Sequence, residues 1–164
     1  MSTHPERAPS SGVVADHMAR EPILIRADAS LSDAAALMDR GHVHGLPVVD
    51  ATGALVGVLS QTDLNRARST EYLWVNWPGL AVRHLMTSPA ITIHRSTPLI
   101  VAARKMEQHQ IHRLVVVEDG DDSSPIGVIS MSDLIHALAE ETAAHHPAGG
   151  PVVEHDAVGG SPSR

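Results

Sequence analysis

Apolar residues recur along the chain in two matching series, and each series predicts a strand, a helix, two further strands and a second helix. In the first series, PILI predicts a strand. The apolar positions of SLSDAAALMDRG then fall on one face of a helix, with Ser30 as its N-cap and Gly41 as its end. VHGLPVV and LVGVLS are rich in β-branched residues and predict two strands. A second helix is expected to follow LVGVLS directly.

The second series repeats the first at a shift of 68 residues. AITI predicts a strand, STPLIVAARKMEQH a helix with Thr97 as N-cap and Pro98 at its first position, and IHRLVVV and IGVIS two strands. The shift becomes 70 within the loop that joins these last strands. An insertion confined to a loop is typical of a duplicated structural unit. The sequence therefore predicts an α+β fold of two βαββα units, which pack together because one unit of about 50 residues buries too little surface alone.

Composition excludes several classes of partner. The 164 residues contain 12 Lys and Arg against 19 Asp and Glu, a net charge of −7, which disfavours nucleic acid. There is no cysteine, so disulfides and thiolate chemistry are absent and a reducing compartment is favoured. No apolar run approaches the roughly 20 residues that span a bilayer. We expect a cytoplasmic protein with no membrane or nucleic-acid partner.

The repeat also sets the expected boundaries. We predict a disordered tail at 1–12, a first unit at 13–70, a linker at 71–81, a second unit at 82–142 and a disordered tail at 143–164. The linker holds every aromatic residue of the chain, namely Tyr72, Trp74 and Trp77. Two interpretations stay open for them: they bury the seam between units or a dimer contact, or they form a ligand-sensitive lid or partner surface.

A short motif opens the second helix of each unit, GVLSQTD in the first and GVISMSD in the second. The serine and the aspartate three residues later have the spacing of a capping box. The same groups also suit a nucleotide, because a strand that runs into a helix N-terminus favours phosphate and a carboxylate accepts hydrogen bonds from a ribose diol. The candidate residues are Ser60, Thr62 and Asp63 in the first unit and Ser130, Ser132 and Asp133 in the second.

Basic residues accompany these motifs in an otherwise acidic chain. His112 and Arg113 stand at the start of a predicted strand in the second unit, where the first unit has His44 and Gly45. Arg66 follows the first motif by one helical turn. These residues are candidate phosphate ligands, although an exposed arginine on a helix is commonly only solvated.

The two motifs, together with the unit openings VADHM and VRHLMT and the segment GLPVVD, resemble a tandem pair of cystathionine-β-synthase (CBS) domains, a Bateman module, over roughly Val13 to Glu141. The second unit is especially similar to the last repeat of the γ regulatory subunit of AMP-activated protein kinase. That resemblance implies packing about a pseudo-twofold axis, phosphate contacts from His112, Arg113, Ser130 and Ser132, and a ribose contact from Asp133. It implies binding of AMP, ADP or ATP as a regulatory ligand. The glycine at position 45 leaves one phosphate contact missing from the first unit, so the weaker site is expected there.

The family resemblance also implies a homodimer. We expect that ligand binding would act on other processes through a further, unidentified protein partner. Neither unit offers a nucleophile with an adjacent base, so we expect no catalysis. Alternatives remain: a scaffold without ligand, an S-adenosylmethionine sensor, or a metal sensor that uses some of the 12 histidines, such as His42, His44, His109 and His112. The sequence does not separate the adenosyl ligands from one another, because the diol contact is indifferent to what lies beyond the ribose.

Overall fold

Two βαββα units make up the fold, in a computed structural model that describes residues 12–70 and 75–145. The first unit contains β2 (Ile25–Arg26), α1 (Leu31–Gly41), β3 (Gly45–Val49), β4 (Leu55–Ser60) and α2 (Gln61–Arg68). The second contains β5 (Thr92–His94), α3 (Leu99–His109), β6 (Arg113–Glu118), β7 (Asp121–Ser130) and α4 (Met131–His145). A short strand β1 (Ala19–Arg20) precedes them, and 3₁₀ turns lie at Val14–Asp16, Trp77–Gly79 and Val82–His84. The predicted α+β architecture is confirmed.

Each unit carries its own sheet. The first sheet has the order β2-β3-β4 and the second the order β1-β7-β6-β5. The strand before each first helix pairs in parallel with the strand after it, and the last two strands of each unit form an antiparallel pair. Each sheet is covered on one face by its two helices, whose apolar residues form one buried core per unit.

The segments that open the two units are exchanged between them. Val14 is fully buried in the core of the second unit, and Val82 is fully buried in the core of the first. Val14 N–H donates to the carbonyl of Thr97 at 2.9 Å, and Val82 N–H donates to the carbonyl of Ala29 at 2.8 Å. The opening segments therefore join the units, a feature that the local sequence pattern did not predict.

Two expected helix ends differ in detail. Ser30 is the N-cap of α1, as predicted, and its hydroxyl accepts from the Asp33 N–H at 3.0 Å. Thr97 is not the cap of α3: Pro98 occupies the N-cap position and Leu99 is the first helical residue. The reason is the exchanged segment, which holds the Thr97 carbonyl in a hydrogen bond and pairs Val13 with Pro98.

The glycine at the end of α1 serves packing rather than a left-handed turn. His42, not Gly41, takes the left-handed conformation, with φ of 51°. A Cβ at Gly41 would overlap the Cδ1 of Ile23. The helix therefore ends at Gly41, as predicted, but the left-handed residue that ends it is His42.

No helix among the described residues is long and apolar enough to cross a membrane.

Candidate functional site

A cleft of about 490 Å³ lies between the two units, at the point where β4 passes into α2. The first unit contributes Gly45, Val58, Ser60, Thr62, Asp63 and Arg66, and the second unit contributes Thr87, Ala90, Ile91, Gln110, Ile111, His112 and Arg113. Hydroxyl, carboxylate and guanidinium groups thus meet an apolar wall in one cavity. Such a combination suits a ligand with both a charged end and a flat apolar end.

The motif of the first unit forms the predicted capping box. Ser60 N–H donates to Asp63 Oδ2 at 2.8 Å, and the Asp63 N–H donates to Ser60 Oγ at 3.1 Å. The other carboxylate oxygen of Asp63, Oδ1, accepts no hydrogen bond from the described residues. Capping therefore occupies one oxygen and leaves the second able to accept from a ligand in the cleft, so the structural and functional interpretations are compatible.

The second motif has the same geometry with one additional contact. Ser130 N–H donates to Asp133 Oδ2 at 2.7 Å, and the Ser130 hydroxyl donates to the same oxygen at 2.9 Å. Asp133 N–H in turn donates to Ser130 Oγ at 3.2 Å. Its carboxylate is therefore held more fully by the chain itself than the carboxylate of Asp63.

The glycine of each motif is explained by a close approach of backbone. A Cβ at Gly57 would lie 2.7 Å from the Thr87 carbonyl oxygen, and a Cβ at Gly127 would lie 2.8 Å from that of Ala19. The sulfurs of Met86 and Met18 come equally close, at 2.9 and 2.8 Å from these Cβ positions. The structure therefore gives the motif glycine a packing role against the exchanged segments.

Arg113 reaches from the second unit toward the first. Its Cδ lies 3.8 Å from the position that a Cβ on Gly45 would occupy, so the absence of a side chain there gives the arginine room. Burial lowers the pKa of the Arg113 guanidinium from its ordinary value. Within 12–70 and 75–145 it has neither an ion-pair partner nor a hydrogen bond. A partly desolvated cation without an anion beside it is a favourable place for phosphate.

The structure brings six of the ten candidate residues together in the cleft, namely Ser60, Thr62, Asp63, Arg66, His112 and Arg113. The second motif, Ser130, Ser132 and Asp133, lies at the equivalent junction of β7 and α4. His44 lines a different cavity, of about 470 Å³, between α1 and α2, and its Nδ1 lies 2.7 Å from Gln61 Oε1. The sequence grouped His112 and Arg113 with the motif of their own unit, whereas in the structure they line the cleft together with the motif of the other unit.

The apolar wall of the cleft comes from both units. Val58 belongs to the first motif itself. Ile91 and Ile111, however, come from the second unit. The signal that could have found them is the pseudo-twofold axis that the family resemblance implies, because such an axis places the start of one unit beside the motif of the other.

Two further expectations concern metals and the linker. Among the described residues no three His, Asp or Glu side chains gather in a way that could hold a metal ion. Tyr72 and Trp74 lie outside the described residues. Trp77 packs on the helices of the first unit, with its Nε1 donating to Ser32 Oγ at 3.1 Å and the Arg68 guanidinium 5.5 Å from its ring centre.

Comparison with known proteins identifies the repeated unit. The model of the CBS domain matches residues 14–70 and 82–140. Homoserine O-acetyltransferase of Methanococcoides burtonii is 31% identical over 121 residues, which cover 74% of this chain and 23% of that protein. The chain thus spans about a quarter of the length of curated relatives such as this one, and its similarity to them is confined to this part.

Solved structures match over almost their whole length. CBSX2 of Arabidopsis thaliana, solved in complex with AMP, is 29% identical with a TM-score of 0.68, covering 80% of this chain and 98% of that one. The CBS domain pair of protein MJ0100, solved with 5′-methylthioadenosine and S-adenosyl-L-methionine, is 25% identical with a TM-score of 0.69, covering 79% and 97%. Both are pairs of the same domain with adenosine-containing ligands.

Proposed function

Because the chain belongs to the CBS domain family, with two copies in tandem, we propose that it is a non-catalytic regulatory module that binds an adenosine nucleotide in the cleft between its units. The observation that carries this proposal is the meeting of Asp63 and Arg113, from different units, in one cavity of about 490 Å³. The ligands of CBSX2 and MJ0100 support an adenosine-containing ligand. A cytoplasmic location, favoured by the absence of cysteine, belongs to the same proposal.

Each lining group has a role in this proposal. Asp63 accepts from the ribose hydroxyls through its uncommitted Oδ1. Ser60 and Thr62, at the N-terminus of α2, donate to phosphate oxygens, where the helix dipole favours negative charge. The base lies against the aliphatic wall formed with Ile91 and Ile111.

Arg113 and Arg66 supply permanent positive charge, and both line the cleft with the first unit's motif. The position equivalent to Arg113 in the other unit is Gly45. We therefore propose that the cleft built on Ser60, Thr62 and Asp63 is the stronger site and that the motif of Ser130, Ser132 and Asp133 binds more weakly. This reverses the ranking expected from the sequence, which assigned the arginine to its own unit.

The regulatory effect follows from where the ligand binds. A nucleotide held by residues of both units stabilises their assembled arrangement by RT ln(1 + [L]/Kd), about 2.7 kcal/mol at a hundredfold excess over Kd. That free energy shifts the population toward the assembled arrangement. It therefore changes the binding of any partner whose affinity differs between this arrangement and others. We propose that the module also pairs into a homodimer and acts through a further protein chain.

Melting in the presence of a ligand panel tests this function. AMP, ADP, ATP, S-adenosylmethionine and 5′-methylthioadenosine are each added at a large excess. A nucleotide that binds is expected to raise Tm by about 5–10 °C, since about 1 kcal/mol shifts Tm by about 2–4 °C for a chain of this size. ATP recovered after incubation is expected to be intact. The absence of a Tm shift with every adenosine ligand would contradict the proposal, and so would hydrolysis of ATP. A Tm shift with S-adenosylmethionine alone would indicate an S-adenosylmethionine sensor instead.

Changing Arg113 to glutamine tests the phosphate contact separately from the nucleoside contacts. The substitution removes one charge-assisted hydrogen bond, so we expect AMP affinity to fall about tenfold and its dependence on salt to weaken. Adenosine, which has no phosphate, is expected to bind both proteins equally. Titration calorimetry of the two ligands at two salt concentrations provides the measurement, and an equal loss for adenosine would show that the arginine acts on the fold instead.

A further inference from the structure

Arg113 stands where the two units meet. In the first sheet, Gly45 pairs with Ser60 of the first motif. In the second sheet, Arg113, the counterpart of Gly45 in the repeat, pairs with Ser130 of the second motif. The Cδ of Arg113 lies 3.8 Å from the position that a Cβ on Gly45 would occupy. A row of four residues therefore runs from one motif serine to the other, and the arginine side chain lies within this row.

The guanidinium of Arg113 is within reach of both motifs. Its side chain lines the cleft of the first motif, and among the described residues no ion pair or hydrogen bond holds it there. Ser130 is its direct partner across an antiparallel pair of strands, and the Cβ atoms of such partners lie about 4.5–5.5 Å apart on one face of the sheet. An arginine side chain is longer than that distance. Rotation about its side-chain bonds can therefore carry the guanidinium from one motif to the other.

The second motif keeps the group that receives a ribose but not the second arginine. Asp133, like Asp63, gives one carboxylate oxygen to its cap, and its Oδ1 accepts no hydrogen bond from the described residues. Arg66 lines the first cleft. At the repeat shift of 70 its counterpart is His136, so a histidine stands in place of a permanently charged side chain.

Arg20 also lies beside the strand of the second motif, but at the far end of that motif. It pairs with Gly127, three residues before Ser130, which is about 10 Å along a strand. The N-terminus of α4, where phosphate is favoured, follows Ser130. Arg113 is therefore the arginine that the strand pairing places at the phosphate end of the second motif.

We propose that the two motifs share Arg113, so that the chain holds one phosphate-bearing adenosine ligand, on the first motif, and a phosphate-free adenosine ligand beside it on the second. This rests on the nucleotide function proposed above and assigns a ligand class to each site. A phosphate in the cleft takes the arginine, and a second phosphate on its other side would meet the charge of the first without a cation of its own. An uncharged thioether such as 5′-methylthioadenosine needs no cation and is received by Asp133.

Titration calorimetry of the full chain tests the two ligand classes, at about pH 8 so that unperturbed histidines are neutral. With AMP alone, we expect the second equivalent to bind at least about tenfold more weakly than the first, because it lacks a charge-assisted hydrogen bond. A chain that holds one equivalent of AMP is expected to bind one further equivalent of 5′-methylthioadenosine. Two equal AMP sites overturn the inference, and so does the failure of 5′-methylthioadenosine to bind beside AMP.

Asp63→Ala distinguishes a shared arginine from a second site that is weak in itself. The amide NMR signals of Thr62 and Ser132 report the occupancy of each motif separately. With the first site weakened, Arg113 is available to the second motif, so AMP is expected to bind there at least about tenfold more tightly than in the wild-type chain. Adding Arg113→Gln is expected to abolish this gain, whereas 5′-methylthioadenosine binds the second motif equally in all three proteins. An AMP affinity at the second motif that ignores Asp63→Ala shows that the arginine is not shared.

The outcomes keep this inference apart from the nucleotide function. Two equal and independent AMP sites leave that function in place and remove only the sharing of Arg113. Absence of binding by both AMP and 5′-methylthioadenosine contradicts the nucleotide function, and the sharing with it. Tm measured without ligand shows that each variant is folded, so a change in affinity is assigned to the site.

Discussion

Replacing Asp63 by alanine is expected to weaken adenosine-nucleotide binding about tenfold to a hundredfold. The change removes the carboxylate whose Oδ1 is free to accept from the ribose diol, and hydrogen bonds to a charged group contribute about 1.5–3 kcal/mol. Titration calorimetry with AMP gives the change in Kd directly. The loss is expected mainly in the site of highest affinity, because that site contains both Asp63 and Arg113.

Asp133→Ala is the matched control, because each aspartate accepts from the backbone N–H of its capping serine, Asp63 at 2.8 Å and Asp133 at 2.7 Å. Each substitution is expected to cost about 1 kcal/mol of unfolding free energy, and Asp133→Ala somewhat more, because Asp133 also accepts from the Ser130 hydroxyl at 2.9 Å. The control is therefore expected to lose at least as much stability as Asp63→Ala and yet less affinity. Equal weakening by both substitutions would contradict the ranking of the two sites, and unchanged binding by Asp63→Ala would remove the ribose role.

The cleft between the units shares a wall with a groove of about 580 Å³ that lies between α3 and the start of α4. Gln110, Ile111 and His112 line both cavities. Gln110 takes the left-handed conformation at the end of α3, with φ of 52°. A ligand that moved this segment would alter both cavities. Linkage makes any such effect reciprocal, so a molecule bound in the groove would change affinity in the cleft by the same factor.

Sequence pattern predicts the elements of each unit well because helices and strands are set by local spacing. Ser30 caps α1 and the Ser60 and Asp63 pair caps α2, as their positions imply. Both caps depend on contacts between residues no more than four positions apart, so the local sequence pattern predicts them directly. The repeat then supplies the second unit from the first.

Contacts between units were not predictable in the same way. Val14 and Val82 open their units in the sequence, yet each is buried in the core of the other unit. Nothing in their local spacing states which sheet they join. The direction of Arg113 toward Gly45 has the same origin, because it depends on how two sheets meet and not on the residues beside it. For that reason the sequence predicted the weaker site at the first motif, which is the opposite of the ranking proposed from the structure.

Gly57→Ala is expected to lower the free energy of unfolding by about 2–3 kcal/mol, or Tm by roughly 5–10 °C. The added Cβ would lie 2.7 Å from the carbonyl oxygen of Thr87, which is backbone and accepts from the Val58 N–H at 3.0 Å. Relief therefore requires the bridge between β4 and the exchanged segment to open. Urea unfolding without ligand measures the loss.

Gly79→Ala is the control, because nothing lies within 4 Å of the Cβ that it would add, and it is expected to change stability by less than about 0.5 kcal/mol. The comparison separates two roles for the motif glycine. If the glycine served only a ligand, Gly57→Ala would keep its stability and lose affinity. A loss of stability in the absence of ligand follows instead if the glycine is there to let the opening segment of one unit join the sheet of the other.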